Sequence, residues 1–191
     1  ENTAVGVGAL DVNTASYNTA MGVDAGGGNT SGTGNVFMGN AAGAGNTTAS
    51  NNTAIGKDSL TVNTTGQGNT TVGSVSLTSN TTGSENTAIG KDALGSTTEG
   101  GTNTGLGAAA GYNVTTGSNN LLLGRNAGRS TSPHTVTTDS NRIVLGNNDI
   151  SNAYVRVAWT VTSDLRDKTN FGTVPHGLDF VNQLEPVSFQ F

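Results

Sequence analysis

The stretch Asn52–Leu60 reads NTAIGKDSL, and a near copy, NTAIGKDAL, spans Asn86–Leu94. The opening five residues form a motif, Asn-x-x-apolar-Gly, that recurs along the chain with a spacing of sixteen once and then seventeen six times over. The eight regular copies close at Gly6, Gly22, Gly39, Gly56, Gly73, Gly90, Gly107 and Gly124. A weaker ninth copy, RIVLG, ends at Gly146 after a longer interval. Such regular spacing is typical of stacked-repeat proteins.

Each repeat unit is too short to form a pair of helices. Gly, Asn, Ser and Thr residues interrupt every unit before a stable helix could form. Short strands joined by tight turns, with one unit per rung, fit this composition better. The sequence therefore predicts an all-β parallel solenoid, or β-roll, of about eight 17-residue rungs in residues 1–128. With rungs about 4.8 Å apart, the rod is on the order of 40 Å long.

The motif residues have separate predicted roles. Glycine at the fifth position permits a left-handed corner. Asparagine at the first position caps its own turn and stacks its amide on the asparagines of neighbouring rungs. We expect the apolar residue at the fourth position to point inward and form a ladder, comprising Val5, Met21, Met38, Ile55, Val72, Ile89, Leu106 and Leu123.

The composition leaves little material for a core. The chain has 191 residues, 29 glycines, no cysteine and 32% hydrophobic residues. One or two modest apolar groups per rung contribute roughly 2–4 kcal/mol, which barely offsets the entropy of ordering seventeen residues. We therefore expect each rod to share an apolar face with other copies. Three-fold symmetry suits fibrous rods, although the sequence leaves a dimer open.

Several functions are disfavoured by composition. The net charge is −5 with only eight Lys and Arg residues, which argues against a nucleic-acid partner. There is no apolar run of about 18 residues, and we expect no membrane insertion. Without a GGxGxD calcium repeat or a phosphate loop, we expect no metal or cofactor. Because the sequence opens in mid-motif with ENTAVG, we interpret it as a fragment of a longer polypeptide.

Residues 129–162 are predicted to form a loop and a β transition region. The segment RSTSPHTVTTDS, residues 129–140, reads as an exposed loop. Its His134 is either a ligand or pH switch, or, as we favour, a solvated side chain. From Tyr154 to Val161 polar and apolar residues alternate, which predicts a strand with Trp159 on its apolar face. Carbohydrate stacking by Trp159 is the alternative.

Residues 163–191 lack the repeat and contain larger apolar side chains. A short helix is predicted over residues 177–184, ending before Pro186, and VSFQF begins a strand. This segment is therefore predicted to be a small α+β module that follows the rod.

The repeats resemble the head repeats of trimeric autotransporter adhesins and the similar repeats of bacteriophage tail fibres. The adhesin unit is usually a little shorter, so the tail-fibre variant fits better. The resemblance covers residues 1–128 and implies a homotrimeric, left-handed parallel β-roll.

The segment SDLRDK, Ser163–Lys168, followed by Asn170, is similar to the start of the C-terminal intramolecular chaperone domain of endosialidase-type phage tailspikes. The resemblance implies that residues 163–191 begin this trimerising domain and stop before its end. It also implies a single-turnover autoprotease, with Ser163 as nucleophile and Lys168 as base, that cuts the Thr162–Ser163 bond. Asp167 departs from the family and would keep the lysine protonated. A plain solvated charged turn remains the alternative.

Together these resemblances imply a structural and host-receptor-binding segment of a trimeric phage tail fibre, located in the virion and outside cells. Its expected partners are further copies, other phage tail proteins, and a bacterial surface glycan or protein. A bacterial adhesin head is the main alternative. A polysaccharide-degrading spike would need two convergent carboxylates, and the acids are scattered. Ice binding would need a regular threonine plane, but the NTT triplets read as unequally spaced.

Overall fold

The computed structural model describes residues 1–154 and residue 156. Residues Glu1–Asn152 form one compact unit. Nine strands of three residues each stack in chain order into one parallel sheet, and no helix occurs among the described residues. The strands are β1 (Thr3–Val5), β2 (Thr19–Met21), β3 (Val36–Met38), β4 (Thr53–Ile55), β5 (Thr70–Val72), β6 (Thr87–Ile89), β7 (Thr104–Leu106), β8 (Leu121–Leu123) and β9 (Ile143–Leu145). The predicted parallel β-solenoid is confirmed.

Neighbouring rungs are in strict register. Thr53 of β4 lies opposite Thr70 of β5, and Ile55 lies opposite Val72. The backbone N–H of Thr53 donates to the carbonyl of Asn69 at 2.8 Å, so the hydrogen-bond ladder continues beyond the strand. The last pair, β8 and β9, keeps this register although the chain between them is longer than in the other rungs. The insertion therefore lengthens a connection and leaves the stack intact.

Glycine is required at the corner that ends each strand. Gly56 has a φ of +129°, which L residues rarely adopt. A Cβ added to Gly56 would lie 2.5 Å from the carbonyl oxygen of Gly73 in the next rung. The rungs thus approach each other too closely at this corner for any side chain, as the sequence predicts.

The motif asparagines form the predicted amide ladder, and from Asn18 onward they are buried. Asn69 donates from Nδ2 to Oδ1 of Asn52 at 3.2 Å, and its own Oδ1 accepts the backbone N–H of Asn86 at 3.0 Å. The ladder comprises Asn2, Asn18, Asn35, Asn52, Asn69, Asn86, Asn103 and Asn120. Because each amide satisfies backbone groups inside the turn, the narrow interior contains few unpaired polar atoms.

A second asparagine ladder, which the repeat motif does not predict, runs beside the first. Its members are Asn13, Asn29, Asn46, Asn63 and Asn80. In the five rungs that contain both asparagines, the two amides donate to the same carbonyl. The carbonyl oxygen of Gly66 accepts Nδ2 of Asn52 at 2.9 Å and Nδ2 of Asn63 at 2.8 Å. The polar part of the interior is therefore a single cross-linked network.

The expectation that the fourth motif residue points inward is wrong. Ile55 is 37% exposed, whereas its neighbour Ala54 is fully buried. Successive strand residues point to opposite faces, so only the third motif position of a three-residue strand can face the interior. The ladder of Val5, Met21, Met38, Ile55, Val72, Ile89, Leu106 and Leu123 exists, but on the outside.

The interior is filled by two complementary columns. Where the strand contributes a small residue such as Ala54, the space is filled by a leucine four residues after the corner, Leu60. Where the strand contributes Phe37, that later position is Gly43, and a Cβ there would lie 2.2 Å from the ring. In two rungs both positions are small, and large side chains of the neighbouring rungs fill the space: Phe37 and Leu10 lie beside Gly26. The core is thus packed by large residues taken from either column.

Candidate self-association face

The first and third residues of every strand point away from the interior and form the outward face of the sheet. The third residues give an apolar column along the whole rod. Exposed fractions in this column range from 37% at Ile55 to 55% at Val5, and Met38 is half-buried. The column comprises Val5, Met21, Met38, Ile55, Val72, Ile89, Leu106, Leu123 and Leu145. No charged residue interrupts it.

The first residues of the strands form a second column beside the apolar one. In six of the nine strands this residue is threonine, as at Thr53 and Thr70. In β8 and β9 it is Leu121 and Ile143, which are 37% and 67% exposed. The outward face therefore carries alternating hydroxyl and aliphatic groups over most of its length and becomes wholly aliphatic at its last two strands.

The outward face has the size of a small interaction surface. Nine strands spaced about 4.8 Å apart make it about 40 Å long. A strand of three residues is about 10 Å long, so the face covers on the order of 400 Å², about half of the area that each partner buries in a standard complex. Apolar patches of a few hundred Å² on a single chain are often functional.

Charged residues flank the outward face without entering it. Nζ of Lys57 lies 3.4 Å from Oδ2 of Asp58. Two rungs further along, Nζ of Lys91 lies 3.6 Å from Oδ2 of Asp92. The two lysine side chains are 66% and 71% exposed. Such exposed pairs contribute little to stability. They form a polar border that keeps the flank of the rod hydrated while the column beside it is free to pack.

The proposed catalytic pair lies outside the described residues. Ser163, Lys168 and the Thr162–Ser163 bond all fall there, as does Trp159, and their roles remain predictions. The strand predicted from Tyr154 to Val161 also lies outside them, apart from Tyr154 and Arg156.

His134 lies in the exposed connection between β8 and β9. Its Nε2 atom is 4.0 Å from Oδ2 of Asp139, and Oδ1 of that carboxylate is 3.7 Å from the Arg142 guanidinium. All three side chains are partly solvated, which agrees with the expectation of a surface histidine. Among the described residues, no cluster of three or more His, Cys, Asp or Glu side chains is arranged to hold a metal ion.

Threonines are more regular than the sequence reading suggests. The hydroxyl of Thr47 donates to the carbonyl of Thr64 at 2.9 Å, and that of Thr64 donates to Thr81 at 3.0 Å. The chain of bonds continues through every rung, from Thr14, Thr30 and Thr47 to Thr64, Thr81, Thr98, Thr115 and Thr137. The expectation that the NTT triplets are unequally spaced is thus wrong for this column of threonines. Its hydroxyls hydrogen-bond adjacent rungs to each other.

Comparison with known proteins finds no family model that matches the chain and no curated protein that is similar to it. In the part of the chain that the structure describes, no helix has the length and hydropathy to cross a membrane.

Proposed function

We propose that this chain is the structural and host-receptor-binding segment of a homotrimeric fibre of the phage tail-fibre type, assembled through the outward face. The observation that carries the proposal is the uninterrupted apolar column of nine strands, exposed on a rod with a thin interior. Three copies arranged in parallel around one axis would bury this column at the centre.

The geometry of the rod favours parallel, in-register packing of copies. Most rungs present a threonine and an apolar residue, so the middle of the face alone does not fix the register: a copy shifted by one rung would keep most of its contacts. The wholly aliphatic end at Leu121, Leu123, Ile143 and Leu145 breaks this equivalence and fixes the register. Each side chain of the column is already about half buried in one copy, so its full burial adds about 1 kcal/mol. The nine together supply a gain comparable to the cost of association.

The remaining functions rest on the sequence resemblance. Residues 163–191 would promote trimerisation, and Ser163 with Lys168 would release that module by cutting the Thr162–Ser163 bond. The fibre would join other phage tail proteins at its ends and bind a bacterial surface glycan or protein. Several fibres acting together would convert weak single contacts into firm attachment.

Thiol cross-linking tests the proposed interface. The chain has no cysteine, so a single Val72→Cys substitution places one reactive group per copy on the outward face. Thr65→Cys is the matched control, since Thr65 is exposed on a turn away from the strands. A short bifunctional thiol reagent should join copies of the Val72→Cys variant and leave Thr65→Cys as single chains on a denaturing gel. Cross-linking confined to Thr65→Cys would place the interface elsewhere.

A further inference from the structure

Three shallow pockets lie along one edge of the sheet, near the points where strands begin. One of about 380 Å³ is lined by Thr102, Thr104, Asn119 and Arg142, among others. Another, also about 380 Å³, lies between Asn51 and Glu85, and a third of about 400 Å³ lies at Tyr17 and Thr19. All three use the residue that precedes the motif asparagine, so they repeat the same register. We call this row the edge groove.

The side chains on the wall of the edge groove are not required by the fold. From the second rung onward, the residue before the motif asparagine has a left-handed backbone, and two rungs fill it with glycine, Gly34 and Gly68. Other rungs place a polar side chain there at the same φ, including Asn51 at 61°, Glu85 at 59° and Thr102 at 56°. A β-branched residue such as Thr102 rarely adopts this conformation. These side chains are exposed, so packing does not explain them.

Several of their polar atoms are free to bind a ligand, although the Thr102 hydroxyl donates to the carbonyl of Gly101 at 2.7 Å. Within the described residues, the side chains of Asn51 and Glu85 form no hydrogen bond to the protein. Asn119 donates from Nδ2 to Oδ1 of Asn141 at 2.7 Å, an arrangement that leaves the Asn119 carbonyl oxygen and the Asn141 amide nitrogen available. The groove thus presents both donors and acceptors along the rod, with gaps at Gly34 and Gly68.

The chemistry of the edge groove suits the hydroxyl groups of a neutral sugar. Amides, hydroxyls and carboxylates can each pair with a sugar hydroxyl, and Tyr17, which is 72% exposed, offers an aromatic surface for stacking. The carboxylates of Glu1 and Glu85 would repel an anionic polymer. Arg142 is the one cationic side chain that lines the three pockets, so the positive charge there is small. Polar side chains recur at this register in six of the eight rungs from Tyr17 to Asn141, which matches a polymer of repeating units lying along the rod.

We infer that the edge groove binds an extended, neutral oligosaccharide. This inference names the ligand class and the location for the receptor-binding role proposed above, and rests on that role. The groove is formed within a single copy, so binding does not require the proposed trimer. Two of its pockets share first strand residues with the outward face, Thr19 in one and Thr104 and Leu121 in the other, so the sugar would lie along the border of the proposed interface.

Glycine substitutions give a sharp test, because they remove a groove side chain while relieving a left-handed backbone. The variant Asn51→Gly/Glu85→Gly/Thr102→Gly/Asn119→Gly should keep or raise the thermal midpoint. Calorimetric titration would use neutral hexasaccharides of glucose, mannose, galactose and N-acetylglucosamine. The unmodified chain should bind at least one of them, and the glycine variant at least tenfold more weakly. Val75→Gly, which relieves a φ of 59° outside the groove, is the control and should bind normally.

Two results would overturn the inference. The first is no binding of any of the four hexasaccharides by the unmodified chain. The second is unchanged affinity in the glycine variant. The molar mass of each sample shows which of the two proposals fails. A monomer that binds sugar supports the groove and contradicts the trimer. A trimer that binds no sugar contradicts the groove alone. A change of molar mass in the glycine variant alone would assign the groove to contacts between copies, and would equally overturn the inference.

Discussion

Substituting Ile55→Lys and Ile89→Lys together is expected to convert the trimer into monomers that keep the solenoid fold. Both side chains are 37% exposed in a single copy, so lysine can replace them without entering the interior. At the centre of a trimer, however, each copy would lose two buried aliphatic groups and gain two desolvated ammonium groups. A loss of about 4 kcal/mol weakens association about 1,000-fold, and this double change should exceed that value.

Light scattering across a dilution series measures the effect, and circular dichroism checks that the fold persists. The variant Thr48→Lys/Thr82→Lys is the matched control, because it adds the same charge on exposed residues two rungs apart, away from the outward face. The control should assemble like the unmodified chain. If both double variants dissociate equally, net charge rather than the apolar column governs assembly. If neither dissociates, the outward face is not the interface.

Replacing Asn69 by alanine is expected to lower the free energy of unfolding by about 3 kcal/mol, a large fraction of the stability of a thin rod. The side chain is fully buried and connects three rungs. Its loss removes the acceptor for the backbone N–H of Asn86, which forms no other hydrogen bond among the described residues. The carbonyl of Gly83 also loses one of its two amide donors, although Asn80 still binds it at 2.9 Å.

Urea unfolding at one fixed protein concentration measures the change, since assembly makes stability depend on concentration. Gln67→Ala is the control: it lies two residues earlier, is exposed, and its side chain takes part in no ladder, so its effect should stay within about 0.5 kcal/mol. Equal urea midpoints of unfolding for Asn69→Ala and Gln67→Ala would show that the hydrogen bonds of the amide ladder do not contribute to stability.

The residues best predicted from the sequence are those whose role depends on one local requirement. Gly56 is such a residue, because no other side chain fits a left-handed corner packed against the next rung. Asn52 is another, because an amide that recurs once per rung can bond to its own copies. The parallel solenoid follows from these two features and the constant spacing, without any knowledge of the core.

The direction of the strand side chains was not predictable in the same way. Ile55 is the largest apolar residue of the motif, and size alone suggests that it is buried. The decisive partner is Leu60, which fills the interior opposite Ala54 and leaves no room for a second large side chain. The sequence does show that a large Phe37 is accompanied by a small Gly43, and that in the next rung a small Ala54 is accompanied by a large Leu60. This pattern indicates which residues are buried only when the two positions are known to face each other.

The second asparagine ladder could have been found from spacing alone. Asn63 follows Asn52 by the same offset that separates Asn46 from Asn35 in the preceding rung, and the offset recurs in the following one. The Thr47 column is likewise visible once units are aligned on their glycines. By contrast, nothing in the repeat bears on Ser163 or Lys168, whose predicted chemistry rests on resemblance and lies outside the described residues.

The most direct test of the central claim, that copies assemble through the outward face into a trimer, is the molar mass of the unmodified chain in solution. Light scattering coupled to gel filtration should give three times the chain mass of 19.1 kDa, unchanged over a tenfold dilution. A molar mass of 19.1 kDa at every concentration would contradict the account, since it would leave the whole apolar column of a stable rod exposed to water.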